Sequence, residues 1–336
     1  MSNEMNSEMS ENTNNEMNDE MIELDHRKQI KKDVNRLVGG LFLYLAIGFI
    51  CFIIYLIGYM VIDIVLHGGP TKTLVAKMDA DMMKTGIPYI VNIFFGIPLL
   101  FLFFKKVKQK KLTDVNKAMK RADFFILLCC FMSTQIIFYT IGFGTEKVFN
   151  LFGYSIKSSI EAAGSTSTTI SMFLYSSILG PIAEEIIFRG FVMRGLERHG
   201  KKFAIIVSAL LFGAYHGNLI QGLFAFAVGL VLGYVAMEYS LKWAIVLHIT
   251  NNFIFGDLLS YAVAGLNTSI QTLINLSMEG LFGIGTLVIF IVKRKEIAAY
   301  WKENKAVGMK YALRSAGMII FLVVMFLIAL LGIERI

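Results

Sequence analysis

Residues 177–193 read Ser-Ile-Leu-Gly-Pro-Ile-Ala-Glu-Glu-Ile-Ile-Phe-Arg-Gly-Phe-Val-Met, so Glu184, Glu185 and Arg189 interrupt a run that is otherwise suited to hydrocarbon. A charged side chain at the centre of a bilayer costs about 2.5–3.5 kcal/mol or more unless it is paired or faces a wet cavity. Three such groups so close together indicate a polar site inside a membrane-spanning helix.

The whole chain has the composition of a membrane protein. Its 336 residues are 56% hydrophobic and its mean hydropathy is +0.62, which excludes an ordinary soluble domain. Only four prolines are present and no alternating apolar pattern is seen, which argues against a membrane barrel. We therefore predict an all-α, polytopic membrane bundle of about eight to nine transmembrane helices. Cys51, Cys129 and Cys130 lie in apolar segments and are expected to be core or lipid-facing residues.

Nine apolar runs are long enough to be considered as membrane spans. They cover approximately residues 37–65, 87–104, 124–144, 169–193, 203–217, 219–237, 243–262, 273–292 and 317–333. The fifth run is short, and a tight turn at Gly217-Asn218 joins it to the sixth.

Basic residues cluster at the ends of these runs and predict an orientation. The clusters fall at residues 27–36, 105–121, 194–202 and 293–295. With nine spans all four lie on one side of the membrane, which the positive-inside rule makes cytoplasmic. We expect a multi-pass protein of the cell membrane with a cytoplasmic N-terminus and contacts to anionic membrane lipids. The net charge of +7 does not indicate nucleic-acid binding, because no binding motif accompanies it.

The N-terminal segment differs from the rest of the chain. Residues 1–25 hold eight acids, no Lys or Arg and few apolar side chains, a composition typical of disorder. We predict a disordered acidic cytoplasmic tail at 1–30 and an integral membrane domain at 31–336. Residues 293–316 alternate bases with large apolar side chains, which suits either an amphipathic helix on the inner membrane surface or an ordinary charged loop.

The charged residues of the fourth run have separate expected partners. Residues four apart share a helix face, so Glu185 and Arg189 are predicted to form an ion pair. Glu184 points about 100° away and must find its partner on another helix. A carboxylate in such a setting can act as a general base near neutral pH. Pro181 is expected to remove the helical bond to Ser177 and to kink the helix near the site.

Two histidines deep in other runs are candidates for the same site. The fifth run ends in Phe212-Gly-Ala-Tyr-His216, and the seventh carries His248 and Asn252 four residues apart on one face. A histidine and an amide there can both donate to one point, as an oxyanion hole requires. The alternative is a packing histidine and an interhelical polar bond.

Other polar and small residues in the runs have simpler expected roles. Asp63 and Asp257 lie near span ends and are predicted to face lipid headgroups, and Asn251 is assigned to packing. Ser177 has no histidine or lysine at a helical neighbour position, so a nucleophilic serine is not favoured. Close helix packing is expected at Gly213, Gly217, Gly222, Gly229 and Gly233.

The ordered trio Glu-Glu-x-x-x-Arg, Phe-x-x-x-His and His-x-x-x-Asn resembles the CPBP family, the CAAX proteases and bacteriocin-processing enzymes also called the Abi family. These are intramembrane glutamate endopeptidases. The resemblance covers roughly residues 169–256, and we place a CPBP-like catalytic core at about 169–262. The matching residues are Glu184, Glu185, Arg189, Phe212, His216, His248 and Asn252.

The resemblance implies a helical bundle with a conical cavity open toward the cytoplasm. It implies that Glu184 and His216 activate a water while His248 and Asn252 stabilise the oxyanion, with Glu185 and Arg189 in support. The reaction would be hydrolysis of a peptide bond in a peptide precursor or a membrane-associated protein. Neither a cofactor nor a metal is expected.

Two other functions remain open from the residues themselves. Two histidines and a glutamate are also a plausible zinc set, so a zinc-dependent membrane protease is an alternative. The other is a non-catalytic membrane scaffold or a bacteriocin-immunity or regulatory protein. A proton-coupled transporter is less favoured, because no repeated half is detected.

Overall fold

The computed structural model describes residues 2–68, 78, 81–82, 84–105, 114–164 and 166–336, with side chains from residue 21 onward. The α-helices span Ser2–His67, Ile87–Phe103, Arg121–Ser133, Gln135–Leu151, Lys157–Ala163, Ile170–Leu174, Gly180–Glu185, Arg194–Leu196, Lys201–Tyr215, Leu219–Glu238, Leu241–Ile249, Leu259–Val263, Thr268–Val292, Arg294–Glu303, Met309–Leu313 and Ala316–Leu330. Tyr175–Leu179, Ile186–Met193 and Thr250–Leu258 are π-helical, and Glu197–His199 is a 3-10 turn. Two antiparallel strands, Tyr154–Ser155 and Glu334–Arg335, pair Tyr154 with Arg335.

The fold is all-α and polytopic, as predicted, and each of the nine predicted runs coincides with helix. Within the described part of the chain, five helices are long and apolar enough to cross a membrane: Met21–His67, Arg121–Leu151, Ile170–His199, Leu219–Glu238 and Thr268–Val292. Ile87–Phe103 and Ala316–Leu330 are shorter apolar helices. The exact number of crossings, predicted as eight to nine, therefore stays a prediction, and so does the orientation.

The N-terminal helix runs through the predicted tail boundary at residue 30. Residues 21–30 are helical rather than disordered, and Ile30 is fully buried. Asp33 binds Arg198 and lies 2.8 Å from Nε2 of His199, which ties this helix to the end of another one. The sequence has no glycine or proline before Gly39, and its Glu and Met residues favour helix. The prediction of disorder rested on the acids of this segment, whereas its lack of glycine and proline and its Glu and Met residues are compatible with the observed helix.

Part of the predicted orientation pattern lies outside the described residues. Lys106, Lys108, Lys110 and Lys111 belong to that part, as does most of the predicted loop 66–86. An amphipathic helix was one of the two expectations for residues 293–316. The structure has a helix at Arg294–Glu303, and its Trp301 is exposed. The position of that helix on a membrane surface stays a prediction. All three cysteines are free thiols.

A tight helical hairpin places one of the candidate histidines. Lys201–Tyr215 packs along Leu219–Glu238, and the connecting turn has Gly217 in the left-handed region with φ +56°. The side chain of Asn218 caps the second helix by accepting from the backbone N–H groups of Ile220 and Gln221 at 3.1 Å. A Cβ on Gly213 would lie 2.6 Å from the carbonyl oxygen of Gly222, so the two backbones approach as closely as predicted.

The three helices that carry the candidate residues meet in the buried core. We call Ile170–His199 the glutamate helix, Lys201–Tyr215 the first histidine helix and the helical segment 241–263 the second histidine helix. The glutamate helix contacts both histidine helices. The site residues therefore lie on elements that are already packed together.

Candidate active site

The glutamate helix changes its hydrogen-bond register twice around the acids. Its first α-helical turn is capped by Thr169, whose hydroxyl accepts from the N–H of Met172 at 3.2 Å. In the following π-helical segment, the N–H of Gly180 bonds to the carbonyl of Tyr175, five residues back. In that register Pro181 would donate to Ser176, not to Ser177, but it has no N–H. The carbonyl freed by Pro181 is therefore that of Ser176, which corrects the expectation made from an α-helical register.

Glu185 lies at the centre of a buried charged cluster. Its Oε1 is 3.0 Å from Nη1 of Arg189 and 3.0 Å from Nδ1 of His248. Glu185 and Arg189 are almost completely buried. The contact between Arg189 and Glu185 is an ion pair whose angle is too poor for a directed hydrogen bond. Among the described residues, Nη1 of Arg189 and Oε2 of Glu185 have no hydrogen-bond partner. The predicted i,i+4 pair forms, and it shares one carboxylate oxygen with a histidine of another helix.

Glu184 finds its partner on another helix, as the sequence required. Its Oε2 lies 3.7 Å from Nε2 of His248, which is beyond hydrogen-bond length. About 22% of the Glu184 side chain is exposed, whereas the side chain of Glu185 is fully buried. The ring of His248 therefore lies between two carboxylates. It contacts that of Glu185 directly, and a small polar group can bridge it to that of Glu184.

His216 is held by its own helix. Its Nδ1 is 2.9 Å from the carbonyl oxygen of Phe212. A carbonyl only accepts, so Nδ1 carries the proton and Nε2 is left with a free lone pair. The Glu184 carboxylate lies close enough to His216 to interact with it electrostatically. This tautomer suits His216 to accept a proton or a hydrogen bond at Nε2.

Phe212 explains why an aromatic residue precedes His216 by one helical turn. Its buried ring lies under the guanidinium of Arg189, with 4.4 Å from Cζ to the ring centroid. The same ring contacts the imidazole of His216 edge-on at 4.9 Å and that of His248 at 6.2 Å. A cation held over an aromatic face is stabilised by the quadrupole of the ring. Phe212, on the first histidine helix, therefore packs against side chains of both the glutamate helix and the second histidine helix.

Asn252 also faces the glutamate helix, but not at the acids. Its Nδ2 donates to the freed carbonyl of Ser176 at 3.0 Å. The segment Thr250–Leu258 is π-helical, so the change from α-helical bonding falls between His248 and Asn252, and Asn252 is the third residue of that segment. The two side chains contact the same helix at different levels. The role predicted for them as joint oxyanion donors stays a prediction.

Asp257 does not face lipid headgroups as predicted, because it is only 5% exposed. Its carboxylate accepts from the N–H and hydroxyl of Ser167 at 2.9 and 3.0 Å, from the hydroxyl of Ser176 at 3.3 Å and from that of Ser177. The surrounding hydroxyls satisfy the acid, so it can be buried. Asp63 is buried as well, and its Oδ1 is 3.2 Å from Nδ1 of His67.

Several features of the site were not visible in the sequence. Arg189 and Asn252 lie within π-helical segments and Glu184 lies between two of them, and such segments are frequent at functional sites. The carboxylate of Glu184 also interacts electrostatically with Tyr44, on the N-terminal helix, and with Tyr215. The serines that contact Asp257 were the one feature of the sequence that could have indicated its hydrogen-bond network.

A metal site is not evident in the geometry. Among the described residues no group of three or more His, Cys, Asp or Glu side chains is arranged to hold a metal ion. The two histidines are instead engaged by protein groups, His248 by Glu185 and His216 by the carbonyl of Phe212.

Comparisons with known proteins agree with the motif pattern. Residues 166–254 match the family described as type II CAAX prenyl endopeptidase Rce1-like. A curated relative from Bacillus subtilis (strain 168), named "Putative membrane peptidase YdiL", is 36% identical over 73 residues. That alignment covers 21% of this chain and 30% of the relative. No solved structure matches the chain.

The matched segment contains every residue of the predicted site. Glu184, Glu185, Arg189, His216, His248 and Asn252 all lie between residues 166 and 254, whereas Asp257 lies just beyond. The resemblance to the CPBP family is therefore confirmed for this segment. Residues 166–254 of this membrane protein are thus similar to the Rce1-like family of type II CAAX prenyl endopeptidases.

Proposed function

We propose that this protein is an intramembrane endopeptidase of the glutamic type, which hydrolyses a peptide bond in a membrane-associated protein or a peptide precursor. The contact of His248 with Glu185 at 3.0 Å and its approach to Glu184 at 3.7 Å carry the proposal, because they bring two acids and an imidazole together. The match of residues 166–254 to an endopeptidase family supports it.

Glu184 is the proposed general base. Of the two acids it is the one with exposed surface, so a water can reach it. Nε2 of His216 carries a free lone pair and accepts a second hydrogen bond from the same water. Glu184 takes one proton as the oxygen attacks the carbonyl carbon of the substrate. A positioned base of this kind contributes about 10²–10⁴-fold to a rate.

His248 and Asn252 are the proposed donors to the oxyanion. Nδ1 of His248 donates to Glu185, which directs Nε2 toward the reacting atoms, and the imidazolium form of the ring donates from Nε2 to the oxyanion and keeps both of its protons throughout the reaction. The amide of Asn252 uses one of its two N–H groups on Ser176 and keeps the other for substrate. Donors aimed at the developing charge are worth about 10²–10³ in rate each. The tetrahedral species then collapses, and the leaving amine takes the proton held by Glu184.

Glu185 and Arg189 are the proposed supporting residues. The buried carboxylate fixes the ring of His248, and the arginine offsets the cost of burying that carboxylate. The chemistry needs neither a cofactor nor a metal. We place the protein in the cell membrane as a multi-pass protein with a cytoplasmic N-terminus and lipids around its apolar helices.

The test compares the peptides of cells that carry wild-type protein, Glu184→Gln or Glu279→Gln. Glu279 lies on the helix Thr268–Val292, away from the site, and serves as the matched control. We expect products that are present with wild type and Glu279→Gln and absent with Glu184→Gln. Cleavage that persists in Glu184→Gln overturns the assigned role, and cleavage that strong chelation abolishes supports a zinc enzyme instead.

A further inference from the structure

We propose that Asp257 is a positioning residue that acts through Ser176 to hold the carboxamide of Asn252. The kinetic part of this inference rests on the proposed peptidase function, whereas the structural part does not. Asp257 lies outside the segment that matches the family, so the comparisons do not assign it a role.

The buried carboxylate of Asp257 is the centre of a hydrogen-bond network. The bonds that the described residues offer to Asp257 come from uncharged groups: one backbone N–H and the hydroxyls of Ser167, Ser176 and Ser177. The hydroxyl of Ser167 donates to the carboxylate at 3.0 Å, and that of Ser176 lies 2.8 Å from Oγ of Ser167 and 3.3 Å from the carboxylate, so its single proton is shared between these two acceptors. Hydrogen bonds to a charged group are stronger than neutral ones. Asp257 therefore fixes the segment before the glutamate helix and the first π-helical turn of that helix.

The first π-helical turn is also hydrogen-bonded to Asn252. In the π-helical register, Pro181 leaves the carbonyl of Ser176 without its intrahelical donor. Nδ2 of Asn252 fills this place at 3.0 Å. Ser176 thus touches Asp257 with its hydroxyl and Asn252 with its carbonyl. A shift of Ser176 must move both contacts.

Two neighbouring amides fix the orientation of the Asn252 carboxamide. Oδ1 of Asn252 accepts from Nδ2 of Asn251 at 2.8 Å, and Oδ1 of Asn251 accepts from Nε2 of Gln135 at 3.2 Å. This chain sets which end of the Asn252 amide carries the donors. One N–H then meets Ser176, and the other has a defined direction. A group positioned for catalysis needs such support, because a misplacement of about 1 Å can cost about 100-fold in rate.

The structural test observes the Asn252 amide directly. The protein is labelled with ¹⁵N-asparagine in lipid nanodiscs, and the Asn252 side-chain resonance is identified by its loss in Asn252→Gln. We expect this resonance to shift in Asp257→Asn and in the milder Ser167→Ala, which removes one hydroxyl donor to Asp257. The control is Ser208→Ala, which removes a buried hydrogen bond of 2.7 Å from the first histidine helix to the carbonyl of Phe188 on the glutamate helix. An Asn252 resonance unmoved in the folded Ser167→Ala and Asp257→Asn variants overturns the proposal.

The kinetic test uses a double-mutant cycle in liposomes, with a quenched fluorescent peptide that carries the cleavage site found by the peptide comparison. Asp257→Asn should lower kcat about 10- to 100-fold with little change in KM. In an Asn252→Ala background the same change should have almost no further effect, because the groups act as one unit. Equal losses in both backgrounds would contradict positioning through Asn252. The resonance shift is independent of cleavage, so failure of the proposed function is distinguished from failure of this inference.

Discussion

Nδ1 of His248 lies 3.0 Å from Oε1 of Glu185, the same carboxylate oxygen that is 3.0 Å from Nη1 of Arg189. The three groups come from two helices and are almost entirely buried. The arginine is needed because a buried carboxylate is costly without a cation, and the carboxylate is needed because it sets the tautomer and direction of the ring. The geometry proposed for catalysis and the stability of the buried charges therefore depend on the same oxygen.

Loss of the arginine should destabilise the protein strongly. Arg189→Gln leaves Glu185 buried without its cation, and breaking a buried pair costs about 3–5 kcal/mol. The measurement is the midpoint of thermal unfolding in detergent, compared with Arg314→Gln at a site outside the core. A double variant, Glu185→Gln with Arg189→Gln, should recover part of the loss because no charge is left unpaired. Equal midpoints for Arg189→Gln and wild type would contradict the importance of this pair.

Replacement of the shared histidine should separate activity from folding. His248→Gln can still donate one hydrogen bond to Glu185 but loses the second ring nitrogen that faces Glu184. We expect a fall in kcat of about 10²–10³-fold, the size of one lost oxyanion donor, with folded yield preserved. The cleavage rate of the purified variant in liposomes is the readout. A cleavage rate close to that of wild type would show that His248 has no role in the mechanism.

The close approach of the hairpin that positions His216 can be tested by adding one methyl group. Gly213→Ala would place a Cβ 2.6 Å from the carbonyl oxygen of Gly222, which is backbone and cannot swing aside. Such overpacking costs about 1–3 kcal/mol. Gly280→Ala is the matched control, because nothing lies within 4 Å of its Cβ position and alanine favours helix by about 0.5–1 kcal/mol. Thermal unfolding should rank the two variants on opposite sides of wild type.

An alanine at position 181 should weaken the hydrogen bond that holds Asn252, because alanine has the backbone N–H that Pro181 lacks. Pro181→Ala supplies an N–H that competes with Asn252 for the carbonyl of Ser176. We expect a more stable glutamate helix together with a several-fold lower kcat, on the order of one lost neutral hydrogen bond. Unfolding and cleavage are measured on the same preparation. A rise in both stability and kcat would show that the freed carbonyl has no catalytic purpose.

Much of the fold and the site could be predicted from residue type and spacing. The apolar runs predicted the helices, because long stretches without charge have few alternatives in a bilayer. The spacing of Glu185 and Arg189 predicted their pairing through the helical repeat. The isolated Glu184 was rightly assigned a partner on another helix, and that partner is His248.

The remaining features depend on backbone register and on contacts between distant segments. An α-helical repeat assigns the carbonyl freed by Pro181 to Ser177, but the π-helical turn transfers this role to Ser176. The burial of Asp257 required hydroxyls from a segment about 90 residues away, which no local pattern reveals. The helical state of residues 21–30 agrees with their helix-forming residues and with the packing of Ile30 and Asp33 against other helices, whereas their acidic composition had indicated disorder.

The central claim is that Glu184 activates the water that cleaves the substrate. The most direct measurement is the single-turnover cleavage rate of purified wild type and Glu184→Gln in liposomes, with folding of both verified by their unfolding midpoints. The account predicts a loss of about 10²–10⁴-fold for Glu184→Gln, because the amide cannot take a proton from water. Equal rates for the two folded proteins would contradict it.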